Sequence, residues 1–244
     1  MNSESIVAKL IERYQGLKTY QNSGFVQVTC DQSVSKSRFR TYFQRPSNYR
    51  FDWWSEFEHN SYPLSEPLHG QLWSNPKGAF IRYGNDAYKK RTNLKAALSS
   101  GFPHSEAAIL PMSLLLPEVV QFDSCISLMK DGVLKPKPSF MPFHQVFFQK
   151  SVNETLDLYI HEDDFSLRRV RRVTSYQFTQ ESLDSIENAP DSDAVVVPKA
   201  TLLADMKLLL NQVHRSTEDF VFEEQFFDQR IFGNPFSSLP IERK

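Results

Sequence analysis

Residues 39–53 read FRTYFQRPSNYRFDW and carry the clearest structural pattern in the chain. Phe39, Thr41 and Phe43 alternate with polar neighbours, and Tyr49, Phe51 and Trp53 repeat the alternation after the turn residues Pro46-Ser47-Asn48. A period of two on both sides of a short turn is typical of antiparallel strands that share one apolar face. The stretch therefore predicts a hairpin with a row of aromatic rings on one side.

The same period extends in both directions along the chain. Residues 25–30 form a predicted strand before the hairpin, and residues 70–73 and 78–83 form a second hairpin after it, with a short edge strand near Tyr88. Strand patterns return at residues 145–149, 156–161 and 167–180. These segments predict a mostly antiparallel sheet.

Helical periodicity occurs in four other places. Residues 6–17 predict an initial helix capped by Ser3 or Ser5, and residues 93–116 predict a helical insertion interrupted at Pro111. Residues 181–193 are acidic and predict a flexible connection, whereas residues 200–213 predict an amphipathic helix. The aromatic residues at 220–222 and 226–227 precede a predicted final strand or loose tail. We expect one domain over residues 1–244, with a linker and amphipathic-helix insertion at 181–215.

Composition narrows the class of protein. The 244 residues carry a formal net charge of −1, which does not favour binding to nucleic acid, and no apolar run reaches the roughly 20 residues of a membrane span. Aromatic residues make up 13% of the chain, including 20 Phe, whereas Gly numbers only 8. This composition favours an aromatic-rich β protein that is not an integral membrane protein.

Candidate catalytic and metal-binding groups are sparse. His104-Ser105-Glu106 favours a helix start over a triad, and His161-Glu162-Asp163-Asp164 favours an acidic turn over a calcium loop or an acid–base pair. The basic run from Arg168 to Arg172 favours a solvated face over a nucleic-acid patch. No metal motif, phosphate loop or nucleophile elbow is present, so we expect no enzyme activity, no metal and no cofactor.

Cys30 and Cys125 lie far apart in the sequence and form no CxxC pair. The sequence does not settle whether they are two buried thiols or one disulfide. The amino-terminal residues Met1 to Ser5 lack the pattern of a signal peptide, which leaves a cytoplasmic protein or a mature exported domain.

The aromatic surplus has two interpretations. The rings can form a plain core, or they can line an apolar cavity in a half-barrel covered by the helices of residues 93–116. In the second case the cavity is suited to an acyl chain.

The order of several motifs resembles the LolA-like lipoprotein-carrier superfamily, and more closely its uncharacterised exported bacterial relatives. The motifs lie between residues 3 and 180: Tyr14-x-x-Leu17-Lys18-Thr19-Tyr20, Gly24-x-Val26, Phe39 to Trp53, Gly101-x-x-His104-Ser105, Leu114 to Glu118, Leu156 to His161 and Leu167 to Val170. The resemblance implies an α+β fold: an open, strongly curved antiparallel half-barrel with a helical lid. It also implies that Arg45, followed by Pro46, ties the lid to the barrel when no ligand is bound. The plainer interpretation is that Arg45 only ends a strand.

The resemblance further implies non-covalent binding or carriage of a hydrophobic ligand, a lipid or lipoprotein acyl chain, in the bacterial cell envelope. We predict Phe43, Phe51, Trp53 and Leu115 as cavity residues, Arg45 as the lid latch, and a periplasmic location. Envelope proteins are further expected partners. The alternatives are a structural, interaction or lipoprotein-sensing protein without a transport role, which would dock through the helix at 200–213, and, least favoured, a hydrolase using His104 or His161.

Overall fold

The computed structural model describes residues 1–31, 33–56, 69–98, 105–119, 130–135, 141–177, 179–188, 203–204, 207, 210–233 and 235–236. Within these residues the chain forms four helices and eleven strands. The helices are α1 (Ser3–Gln15), α2 (Leu94–Leu98), α3 (Ser105–Leu115) and α4 (Gln180–Asn188). The strands are β1 (Thr19–Cys30), β2 (Ser33–Gln44), β3 (Asn48–Glu56), β4 (His69–Asn75), β5 (Gly78–Tyr83), β6 (Lys89–Arg91), β7 (Lys130–Leu134), β8 (Phe143–Ser151), β9 (Glu154–His161), β10 (Leu167–Gln177) and β11 (Val213–Phe227).

All eleven strands join one open antiparallel sheet in the order β6-β5-β4-β3-β2-β1-β11-β10-β9-β8-β7. Strands β1 to β6 step outward from the centre to one edge. Strands β7 to β11 start at the opposite edge and step back to the centre, where β11 pairs with β1. The predicted antiparallel sheet is thus confirmed.

Helices α1, α2 and α3 cover one face of this sheet. Helix α2 contacts β4, β5 and β6 near one edge, whereas α1 contacts β7 at the other edge, and α3 contacts both helices. One hydrophobic cluster joins residues of both halves, such as Ile81 of β5 and Val146 of β8. A flat sheet of eleven strands would be about 48 Å wide, too wide for so thin a helical layer to share one core with both edges. The sheet is therefore a strongly curved half-barrel with a helical lid, as the sequence predicts.

The alternation of side chains distinguishes an inner face, toward the helices, from an outer face. Across β2 and β3, Phe39 pairs with Trp53 and Phe43 pairs with Tyr49, and all four side chains are buried on the inner face. Arg40 and Asp52 pair in the same ladder but belong to the outer face. The aromatic row predicted from residues 39–53 thus belongs to the core.

Helix α1 begins one residue earlier than its predicted caps. The side chain of Asn2 accepts a hydrogen bond of 2.9 Å from the backbone N–H of Ser5, so Asn2 is the N-cap instead of Ser3 or Ser5. The stripe Ile6, Leu10 and Tyr14 is buried against the sheet. An amphipathic helix is therefore confirmed at the amino terminus.

Helix α3 continues through Pro111, where the sequence predicted an interruption. Proline removes one intrahelical donor, which normally ends a helix. Here Met112, Leu114 and Leu115 are fully buried around the proline, and this packing outweighs the lost hydrogen bond.

The carboxyl-terminal third differs from prediction in its secondary structure. Residues 180–188 form helix α4 instead of a flexible connection, since Leu183 is buried to 2% exposure and anchors the turn. In the predicted helix at 200–213, residues 203, 204 and 207 are helical, residues 210–212 are not, and Val213 begins β11. The aromatic residues at 220–222 and 226–227 do not precede a final strand or tail but lie within the central strand β11. No helix in the described parts of the chain is long and apolar enough to cross a membrane.

Gly24 marks the tightest point of the central ladder. The register of β1 against β11 shifts between Ser23 and Gly24, and a Cβ atom at Gly24 would overlap the carbonyl of Val221 and come within 2.8 Å of Phe39 Cζ. Only a residue without a side chain allows the two central strands to approach so closely.

We expect Gly24→Ala to lower the free energy of unfolding by about 2–4 kcal/mol, because the new methyl group must push the central strands apart. Gly16→Ala is the matched control. Its Cβ would meet nothing closer than 3.6 Å, and its φ of −76° suits alanine, so it should be neutral or slightly stabilising. Urea denaturation of both variants measures the difference, and equal stabilities would contradict this account.

Candidate functional site

Arg45 lies directly after β2, where the ends of two helices meet the sheet. Its Nε atom donates to the carbonyl of Leu17 at 2.8 Å, and its Nη2 atom donates to the carbonyls of Gln15 at 2.6 Å and Leu115 at 3.0 Å. Gln15 ends α1, and Leu115 ends α3. We call this guanidinium with its three acceptor carbonyls the Arg45 junction.

The acceptors in the Arg45 junction are carbonyls at or just after the ends of helices. The last carbonyls of a helix lack intrahelical partners and carry partial negative charge, so a guanidinium is a favourable partner for them. The guanidinium also lies 5.5 Å from the centre of the Phe43 ring. A single partly exposed side chain therefore connects α1 and α3 to the rim of the sheet.

The four predicted cavity residues lie together on the inner side of the sheet. Phe43, Phe51 and Leu115 have no exposed surface, and Trp53 is 2% exposed. The Phe51 ring stacks between Phe39 at 5.7 Å and Trp53 at 5.9 Å, measured between ring centroids. In this closed arrangement the rings pack against one another and share one core cluster with α3.

Three tyrosine side chains are buried in this interior. Burial raises the pKa of Tyr14 to about 12 and also raises the pKa values of Tyr20 and Tyr49. The Tyr14 and Tyr20 rings lie 5.4 Å apart, and Tyr14 Oη donates to Gln225 Oε1 at 2.9 Å. Tyr14, Tyr20 and Tyr49 are each at most 1% exposed, so the interior around them has little access to water and suits apolar contents.

A small cavity of about 270 Å³ lies where α1 meets β8. Its wall is almost wholly apolar and is formed by Val7, Ala8 and Ile11 of α1 with Phe148 of β8, and Ser3 and Glu4 border it. The sequence analysis missed this cavity. Val7 and Ile11 are partly buried beside the fully buried stripe of α1. In the sequence, the only sign of this cavity was that both residues are apolar and widen the stripe.

The other candidate residues are not brought together into a site. His104 and Cys125 lie outside the described residues, whereas Cys30 is a free thiol whose Sγ lies 3.1 Å from Tyr176 Oη. His161 accepts a hydrogen bond from the backbone of Asp163 at 3.4 Å within the turn after β9. This contact belongs to the turn itself.

The basic run on β10 is extensively ion-paired. Arg169 and Arg171 both bind Asp219 of β11, at 2.8 and 3.0 Å, and Arg172 binds Glu154 at 2.8 Å. These pairs hold β9, β10 and β11 together across their side chains.

We expect Arg45→Ala to lower the free energy of unfolding by about 2–4 kcal/mol, since three charge-assisted hydrogen bonds are lost and helix-end carbonyls lose their partner. Arg40→Ala is the matched control on the same strand, because Arg40 is exposed and its one hydrogen bond, to Tyr42 Oη, is 3.5 Å long. The control should change stability by less than about 0.5 kcal/mol. Equal urea midpoints for the two variants would show that the junction does not hold the helices.

Comparisons with known proteins give structural likenesses only. No protein family and no curated protein matches the sequence. Among solved structures, a DUF1329 family protein from Desulfovibrio piger is 8% identical with a TM-score of 0.39, over 96% of this chain and 97% of that one. A LolA superfamily protein from Nitrosomonas europaea is 8% identical with a TM-score of 0.37, over 98% of each chain. A chain of the Pseudomonas aeruginosa MucA/MucB complex is 8% identical with a TM-score of 0.44, over 96% of this chain and 60% of that one. A LolA superfamily protein is thus among the structures this chain resembles, as the sequence motifs predict, but likenesses this distant say nothing about ligand or partner.

Proposed function

We propose that this protein binds a hydrophobic ligand, a lipid or an acyl chain, reversibly and without covalent chemistry, beneath the lid formed by α1 and α3. The Arg45 junction is the observation that carries the proposal. We further propose, from the sequence resemblance, that it acts in the bacterial cell envelope.

The Arg45 junction supports a lid that opens without unfolding the sheet. Its three hydrogen bonds end on backbone carbonyls of α1, α3 and the turn after α1, whereas the sheet is held by its own ladders. Arg45 is partly exposed, so water can take the place of these acceptors when the helices move. Opening then costs a few kcal/mol, the range in which a ligand shifts a two-state equilibrium.

The surfaces under the lid support an apolar occupant. Met112, Leu114, Leu115 and Leu116 on or just after α3 are fully buried, and they face the same core as Phe51 of β3. Moving α3 outward exposes these apolar side chains, which form no hydrogen bonds with water. An acyl chain that covers this surface contributes about 0.8 kcal/mol per buried methylene, so about five methylenes offset the opening of the lid.

The cavity between α1 and β8 is the proposed point at which the ligand enters. It is apolar, already open, and borders the exposed residue Ala8, so a chain end can insert there before the helices separate. An existing opening lowers the cost of the first step of binding.

The direct test is native mass spectrometry of the protein purified from a bacterial host, followed by organic extraction and identification of the bound lipid. We expect a stoichiometric mass increment that extraction removes, and rebinding of a fluorescent fatty acid by the stripped protein. A mass equal to that of the bare chain, together with no binding of the probe, would overturn the proposal and favour an interaction protein with a plain aromatic core.

We expect Ala8→Phe to weaken binding of the fluorescent fatty acid about tenfold, because the ring fills part of the cavity and displaces about two methylenes of the ligand. Glu12→Phe is the matched control, since it places the same ring on an exposed position of α1 that does not line the cavity. The control should bind within about twofold of the unaltered protein. Equal weakening by both variants would exclude this entry point.

A further inference from the structure

A second cavity lies away from the lid, on the outer face of strands β2 to β5. Its volume is about 580 Å³, within the usual size range of small-molecule sites. Its lining includes Arg40, Arg82, Trp54 and Tyr42. We call it the outer-face cavity, and neither the sequence motifs nor the proposed lipid site accounts for it.

Strand register places two arginines at opposite ends of one row across the floor of the outer-face cavity. Arg40 of β2 pairs with Asp52 of β3, Asp52 pairs with Gln71 of β4, and Gln71 pairs with Arg82 of β5. Three strand spacings separate the backbones of Arg40 and Arg82 by about 14 Å. Two long side chains at this separation can reach a ligand of the size of one sugar ring from both sides.

The one carboxylate in that row is already occupied. Both oxygens of Asp52 accept hydrogen bonds from Arg50 Nε, at 2.8 and 2.9 Å. Arg50 also donates from Nη1 to the carbonyl of Pro235 at 2.8 Å, so the segment near the carboxyl terminus covers it. Arg50 is therefore part of the wall, and its charge is neutralised by Asp52.

Arg40 and Arg82 have no such counter-ion. In the described part of the chain neither forms an ion pair, and Arg40 makes only the long contact to Tyr42 Oη. Arg82 Nε is buried and has no hydrogen-bond partner. A buried donor without a partner is costly, and an oxyanion from a ligand would satisfy it. The cavity therefore has an unbalanced charge of about +2 from these two groups, which act as forks for carboxylate or phosphate oxygens.

The remaining wall is suited to a ring with hydroxyl groups. Trp54 and Tyr42 supply flat apolar surface with polar edges, while Gln71 and Asn85 supply amide donors and acceptors. A purely hydrocarbon ligand would leave these amides and both guanidinium groups without partners. We propose that the outer-face cavity binds a sugar that carries an oxyanion, either a phosphate or a carboxylate.

Tryptophan fluorescence provides a direct test, because Trp54, one of the three tryptophans of the chain, lines the cavity on the outer face. Glucose 6-phosphate and glucuronate represent the two oxyanions, glucose lacks the charge, and inorganic phosphate lacks the ring. We expect saturable quenching by at least one of the two sugar anions, and binding of glucose and of inorganic phosphate at least about tenfold weaker. The sugar anion that binds names the oxyanion, and quenching by both assigns the site to oxyanions in general.

Two variants connect the signal to the arginines. Arg82→Gln and Arg40→Gln should each weaken binding at least about tenfold, the effect of losing one charge-assisted contact. Arg38→Gln is the matched control, since Arg38 is on the same face of β2, pairs with Glu223 at 3.4 Å and does not line the cavity. It should stay within about twofold of the unaltered protein. Arg40 is exposed, so its variant keeps the test valid even if Arg82→Gln is poorly folded.

Three results would overturn the inference. One is the absence of quenching by either sugar anion up to about 10 mM. Another is equally tight binding of glucose, which would show that the charge of the ligand does not contribute to binding. The last is unchanged affinity in Arg40→Gln. Retention of a lipid in the preceding experiments has no bearing on these outcomes, because the two sites lie on opposite faces of the sheet.

Discussion

The pairing of β1 with β11 is the constraint on which the rest of this structure depends. It joins two meanders that come from opposite ends of the chain, and it runs from Tyr20 opposite Phe227 to Cys30 opposite Ser216. Inner-face residues meet along it, as where Val26 lies opposite Phe220. Without this ladder the chain would form two smaller sheets with exposed edges in place of one half-barrel.

The pairing of β1 with β11 also determines where the helices lie. Because β1 to β6 end at one edge and β7 starts at the other, the chain between them crosses the sheet, and α2 and α3 lie in that crossing segment. The crossing runs over the inner face, since that face carries the aromatic rings. The end of α3 then meets the end of α1 beside the last residue of β2, which is why one arginine after β2 reaches both. The Arg45 junction is thus a consequence of the topology combined with one residue of suitable length and charge.

The sequence predicted those parts of the fold whose side chains alternate clearly. The two halves of residues 39–53 each have a period of two, and their strands and the residues that share a face follow from it. Strand β11 was predicted less well, because Glu218 and Asp219 interrupt its apolar pattern. Both are balanced by arginines of β10, and such neutralisation depends on register, which sequence periodicity does not contain. Helix α4 was missed because its apolar anchor is the single residue Leu183.

The candidate sites depend even more on contacts that sequence periodicity does not contain. Arg45 was identified through a motif resemblance, but its partners are backbone carbonyls, which no side-chain pattern encodes. Arg40 and Arg82 lie 42 positions apart in the sequence, and only the ladders through β3 and β4 place them around one cavity. Since successive residues of a strand face opposite sides, β2 and β3 present aromatic rings to the lid and charged groups to the outer face. If the lid opens as proposed, these ladders stay intact, and the geometry of the outer-face cavity is then independent of a ligand on the inner face.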